Sequence, residues 1–76
     1  MFKRIDSKLI NINEIVSVEP CIKYSTISKI SVIINFKNKT SIELFKELSR
    51  PKNRVEEIKL ENKLKTLFNK VIKEIV

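Results

Sequence analysis

The chain contains no glycine, histidine, alanine, glutamine or tryptophan. Without glycine there is no P-loop and no G-x-G-x-x-G turn, since both need backbone that approaches a phosphate with no Cβ in the way. Nucleotide enzymes of those types are excluded. Without histidine there is no Ser-His or Cys-His couple, no zincin helix and no imidazole to move protons near neutral pH. Cysteine occurs once, at Cys21, which rules out an internal disulfide and, with no histidine beside it, leaves a structural zinc site without ligands. No apolar run approaches the ~20 residues that a membrane-spanning helix requires. The mixed opening Phe2-Lys3-Arg4-Ile5-Asp6 carries no signal-peptide pattern. These absences lead to the expectation of a cytoplasmic, non-enzymatic protein with no cofactor, no metal, no membrane partner and no small-molecule substrate.

What the chain does contain is lysine, isoleucine and asparagine. At 76 residues it reads as one domain with a thin core, because small chains bury a low fraction of their surface. Sixteen Lys and Arg against nine Asp and Glu give a formal charge of +7, a field that draws phosphates, anionic lipid or an acidic partner. The surplus is almost all lysine, however, and AT-rich coding produces a Lys, Asn and Ile excess whatever the function. Net charge alone therefore points weakly to nucleic acid.

From Lys29 to Phe36, Ile30, Val32, Ile34 and Phe36 alternate with Ser31, Ile33 and Asn35, the period of two of a half-buried strand with its even positions toward the core. A turn at Lys37-Asn38-Lys39 leads to Thr40–Phe45, where Ile42 and Leu44 are again even. An even-numbered connection would place Glu43 opposite Ile34, so the hairpin loop must be odd. The expected pairs are Phe36 with Ile42 and Ile34 with Leu44, with Asn38 as the left-handed loop residue. Upstream, Lys8–Ile12 and Ile15–Glu19 read as two strands, or one strand interrupted by a bulge or tight turn, with Pro20 ending the second. Residues 20–28 read either as a loop or as the end of a long hairpin.

At the C-terminal side Leu60, Leu64, Leu67, Phe68, Val71 and Ile75 form an apolar stripe on a 3.6-residue period, which predicts an amphipathic helix. Asn53 with Glu56 three residues later resembles a capping box, and early glutamates with later lysines complement the helix dipole. The expected fold is α+β: an antiparallel sheet of three or four strands over about residues 2–46, a basic linker at 46–53, and one helix at about 54–75 packed on the sheet.

Two groups of residues stand out as candidate contacts. The linker cations Lys46, Arg50, Lys52 and Arg54, with the helix cations Lys59, Lys63, Lys70 and Lys73, are placed to meet phosphates or an acidic partner. Ile33, Phe45, Val55 and Ile58 are apolar residues displaced from the core pattern, hence a candidate protein interface. Phe45 alone reads as an exposed ring, and one ring makes no stacking platform for bases. Ser49 and Lys52 share the spacing of a Ser-Lys nucleophile pair, but Pro51 intervenes and no oxyanion hole is in view.

The run Leu9-Ile10-Asn11-Ile12-Asn13-Glu14-Ile15-Val16-Ser17-Val18-Glu19, followed by a hairpin and a terminal helix, resembles short bacterial proteins of the flagellar FlbD type and similar strand-meander-plus-helix domains. The resemblance covers the first two-thirds of the chain and departs from that family where a glycine usually marks the hairpin tip. It implies a small bacterial or phage-type accessory protein and carries over no functional residues. The leading functional expectation is a protein-interaction module, an accessory regulator or inhibitor of the kind encoded by phages or mobile elements, binding a protein partner or itself. The alternative is a basic nucleic-acid-binding protein.

Overall fold

The alternation read over Lys29–Phe36 belongs to the central strand of a three-stranded antiparallel sheet. The computed structural model describes residues 1–76: β1 (Phe2–Ile5), β2 (Lys8–Asn11), a 3-10 turn (Ile12–Glu14), β3 (Ile15–Lys23), β4 (Ile27–Phe36), β5 (Ser41–Ser49) and α1 (Arg54–Ile75). The strands make two sheets, a β1-β2 hairpin and a β3-β4-β5 meander. The α+β class and the single C-terminal helix are as expected, while five strands divided between two sheets replace a single sheet of three or four.

The even face of the meander carries the core. Val32 and Ile34 are fully buried and join Leu44, Val71 of the helix, and Ile5 and Ile10 of the small hairpin in one cluster. The helix lies over β3 and β4 and meets β1, leaving β5 largely uncovered. Its stripe falls as the periodicity predicts, with Leu60 and Val71 buried and Leu67, Phe68 and Ile75 packed against the cluster.

The small hairpin turns through Asp6 and Ser7, both left-handed at φ 48° and 69°. That is the conformation a two-residue hairpin turn needs and for which glycine or asparagine is usual. The two sheets part at the 3-10 turn, where the Asn11 side chain accepts from the Asn13 N–H at 3.2 Å. In β3, Pro20 does not end the strand, which runs on to Lys23. β3 is an edge strand, and Pro20 falls at a position where its missing N–H faces away from β4. Residues 20–28 thus form the end of a long β3-β4 hairpin.

In the β4-β5 hairpin the loop is odd, as parity required, but the register is two residues tighter than expected. Ile34 pairs with Ile42 and Val32 with Leu44. A three-residue loop closes it, with the Lys39 N–H donating to the Phe36 carbonyl at 3.0 Å and the Phe36 N–H to Thr40 O at 2.9 Å. This is a type I turn followed by a left-handed third residue, so Lys39 (φ 68°) takes that conformation instead of Asn38. Asn38 accepts a hydrogen bond from the Thr40 N–H at 3.1 Å, fixing the loop from within.

The helix starts where the cap signature placed it. Asn53 Oδ1 accepts from the Glu56 N–H at 3.0 Å, and the Glu56 carboxylate accepts from the Lys52 N–H at 2.9 Å, one residue before the position of a standard capping box. No helix is long and apolar enough to cross a membrane.

Candidate functional site

β5 is longer than the sequence pattern suggested, and this rearranges the basic residues. Lys46 stands in a strand, since β5 continues to Ser49, because Lys46 and Leu48 keep the even alternation that Ile42 and Leu44 begin. Directly opposite residues share a face, so Lys46, paired with Ile30, is on the helix side. With the helix shifted toward β3, a groove is left between β5 and α1. Lys46, Lys63, Lys70, Asn62 and Thr66 line it over an apolar floor of Leu48 and Leu67. The groove continues toward the helix start, where Arg50, Lys59 and Lys63 gather around Pro51 and Leu60 with one carboxylate, Glu56. Five of the eight expected cations thus converge on one groove from the strand, the connector and the helix.

The other three do not join it. Arg54 is held by its own helix, bonded to Glu57 at 3.0 Å and within 3.6 Å of Glu61. The Glu57 bond, reinforced by the Glu61 charge, raises the guanidinium above its ordinary value, and both partners lie on its own helix. Lys52 uses its backbone N–H at the helix cap, and Lys73 sits in the last helical turn. None of the five groove cations forms an ion pair; the chain's only ion pairs are Lys29–Glu43 and those of Arg54.

The odd face of the meander has no element packed over it. Its cross-strand rows are Glu19-Ile33-Glu43, Cys21-Ser31-Phe45 and Lys23-Lys29-Glu47. Phe45 is 50% exposed and Ile27, at the end of the same face, 51%. Lys29 reaches along β5 with its ammonium 4.9 Å from the Phe45 ring centroid and donates to Glu43 Oε1 at 2.9 Å. That hydrogen bond holds the Glu43 carboxyl below its ordinary value against the opposing effect of desolvation. Ser31 is fully buried beneath these side chains, and its hydroxyl adds a smaller lowering effect on the Glu43 carboxyl.

Of the four expected interface residues, the structure brings Ile33 and Phe45 together on this open face. Val55 and Ile58 lie elsewhere, in the first turns of an unbroken helix and on the side turned away from its core stripe, Val55 at 62% exposure. Sequence reasoning set Ile33, Glu43 and Phe45 off the core face but missed Cys21, Lys29 and Ser31 as their neighbours there. The odd positions 21, 29, 31, 33, 43 and 45 share one parity, a signal available for β4 and β5 but hidden in β3 once Pro20 was taken as a strand end.

The two edges of the meander differ. In a strand each residue's N–H and C=O point to the same side, alternating along the chain. The hydrogen-bonded closure at Phe36 and Thr40 sets the even residues of β5 toward β4. Ser41, Glu43, Phe45, Glu47 and Ser49 therefore turn their N–H and C=O outward. On the opposite edge β3 presents Val18, Pro20 and Ile22, the middle one lacking a donor, and a register shift interrupts it between Ile15 and Ser17. Proline and bulges blunt an edge against strand addition. β5 has neither.

No family model, curated protein or solved structure matches this chain.

Proposed function

We propose that the protein is a non-enzymatic interaction module, an accessory regulator or inhibitor that docks on a protein partner through the β4-β5 side of its meander. The observation that carries this reading is the uncovered sheet face, where Phe45 stands half exposed beside Ile33 with Lys29 and Glu43 locked around it. A sheet that buries one face and leaves a pre-ordered aromatic and apolar surface on the other has the composition of a binding surface, an aromatic anchor rimmed by charge. The ordering matters because a side chain already held in place loses little freedom on binding.

The test is selection of binding sequences from a random peptide display library on the immobilised full chain, followed by rebinding to Phe45→Ser after circular dichroism has verified its fold. Enriched sequences that lose binding to the variant support the reading. Enrichment insensitive to Phe45, or no enrichment at all, refutes it.

A second reading is favoured by a different observation, the convergence of Lys46, Arg50, Lys59, Lys63 and Lys70 on one groove without paired carboxylates. Such a groove suits a phosphodiester backbone tracked without base recognition, since no exposed ring lines it. Mobility-shift titration at two salt concentrations decides it. A steep log-linear loss of affinity with salt, flattened by neutralising these five, supports nucleic acid, whereas weak binding that vanishes near ~150 mM salt whichever lysines are removed refutes it.

A further inference from the structure

The free edge of β5 and the cationic groove beside it are adjacent parts of one surface. Along the edge, the outward N–H and C=O groups of Glu43, Phe45 and Glu47 recur about every 6.8 Å, two residues of antiparallel strand. A strand laid against them has side chains pointing alternately to the two faces of the enlarged sheet. On the helix face they meet Lys46, with Lys63 and Lys70 across the groove; on the open face they meet Phe45. Lys63 and Lys70 are seven residues apart on α1, about 10.5 Å along its axis, a span that two or three successive groove-facing side chains cover.

We propose that β5 accepts an extended acidic segment of a partner protein as a fourth strand of the meander, its carboxylates directed to Lys46, Lys63 and Lys70 and its apolar residues to Phe45. This rests on the interaction-module reading and names the partner's chemistry and mode of docking. Main-chain hydrogen bonds to the unblunted edge supply affinity, and the alternating contacts supply specificity. Charge selects the occupant. A second copy paired antiparallel about Phe45 sets Glu43 opposite Glu47 of its mate twice, and in any antiparallel register it brings a second cationic groove against the first, so such self-pairing is opposed on both faces. A nucleic-acid strand meets the cations but leaves the row of β5 donors and acceptors unused.

The probe is a nine-residue synthetic peptide, the length of β5, alternating glutamate and valine, titrated into the full-length protein. Hydrogen exchange is followed by nuclear magnetic resonance at the amides of Glu43, Phe45 and Glu47. The expected result is slowed exchange at those three amides on saturation, affinity that falls with salt, at least tenfold weaker binding to Lys46→Glu/Lys63→Glu, and no binding of a peptide with prolines at the positions facing β5. The peptide-side substitution leaves the protein untouched, so the test survives a variant that folds poorly. The proposal is overturned by an absence of protection, by equal binding of a lysine-valine peptide, by protection that grows with protein concentration alone as the mass doubles, or by tighter binding of a single-stranded oligonucleotide at ~150 mM salt. If protection is absent while displayed peptides still depend on Phe45, strand addition falls and the interaction module stands.

Discussion

Truncating Ile34 tests the core most directly. Ile34 is fully buried in the central strand, between Val18 and Ile42 on the neighbouring strands, within the cluster shared by sheet, helix and hairpin. Ile34→Ala removes about three methylene equivalents at ~0.8 kcal/mol each, ~2.4 kcal/mol of transfer free energy. A cavity adds to this, because the site is enclosed by three elements that cannot all collapse into it, giving a total of about 3–4 kcal/mol. A domain of this length holds roughly 4–11 kcal/mol in all, so the variant loses about a quarter or more of its stability. At ~4–8 °C per kcal/mol the melting midpoint falls by about 12–30 °C. With no tryptophan and one tyrosine, the suitable assay is thermal denaturation followed by far-ultraviolet circular dichroism. Leu64→Ala, at a half-buried stripe position, should cost less, and Val55→Ala, on the exposed helix side, within about 0.5 kcal/mol. An Ile34→Ala midpoint indistinguishable from that of Val55→Ala would refute the placement of the core.

Lys39→Gly should stabilise the protein by roughly 0.5–1 kcal/mol, since Lys39 holds a left-handed conformation that costs an L-residue about 1–2 kcal/mol and glycine's extra unfolded-state freedom offsets part of the gain; a lowered melting temperature would contradict it. The Lys29–Glu43 pair sets a pH dependence. Glu43 titrates below its ordinary 4.5 in the folded chain, so its contribution is complete above that value and is lost as the pH falls through the lower folded-state value. The stability difference between wild type and Lys29→Met should therefore be small at neutral pH, as befits a part-exposed pair, and should disappear on acidification; a difference that widens in acid would overturn the assignment.

Patterns of short period were legible in the sequence, and long-range ones were not. The alternation of Ile30, Val32 and Ile34 and the stripe from Leu60 to Ile75 depend only on which face of a strand or helix is apolar, and both appear in the structure as read. The Asn53 cap was equally local. Asp6-Ser7 lacks the glycine that flags a two-residue turn, and the small hairpin exists because Ile5 and Ile10 gain a place in a core built mostly by later residues. Pro20 reads as a terminator until β3 is known to be an edge. Lys46 to Ser49 looks like charged linker because only the pairing with β4 reveals that Lys46 and Leu48 continue the even face. The site suffered most from this, since the groove needs β5 and α1 side by side, and neither element's residues specify the other's position.

The Lys3 ammonium donates to the carbonyls of Ile75 and Val76, both at 3.2 Å, so the first strand closes the last turn of the helix. The central cluster is likewise shared between Ile5 near one end of the described chain and Val71 near the other. Folding of this molecule is therefore not progressive. Contacts between such distant positions form only after the whole intervening chain has been drawn together, which slows the search, and no contiguous half of the sequence contains a finished core. Clipping the last helical turn would remove at one stroke the partner of Lys3 and the packing of Ile75, loosening the small hairpin some seventy residues away.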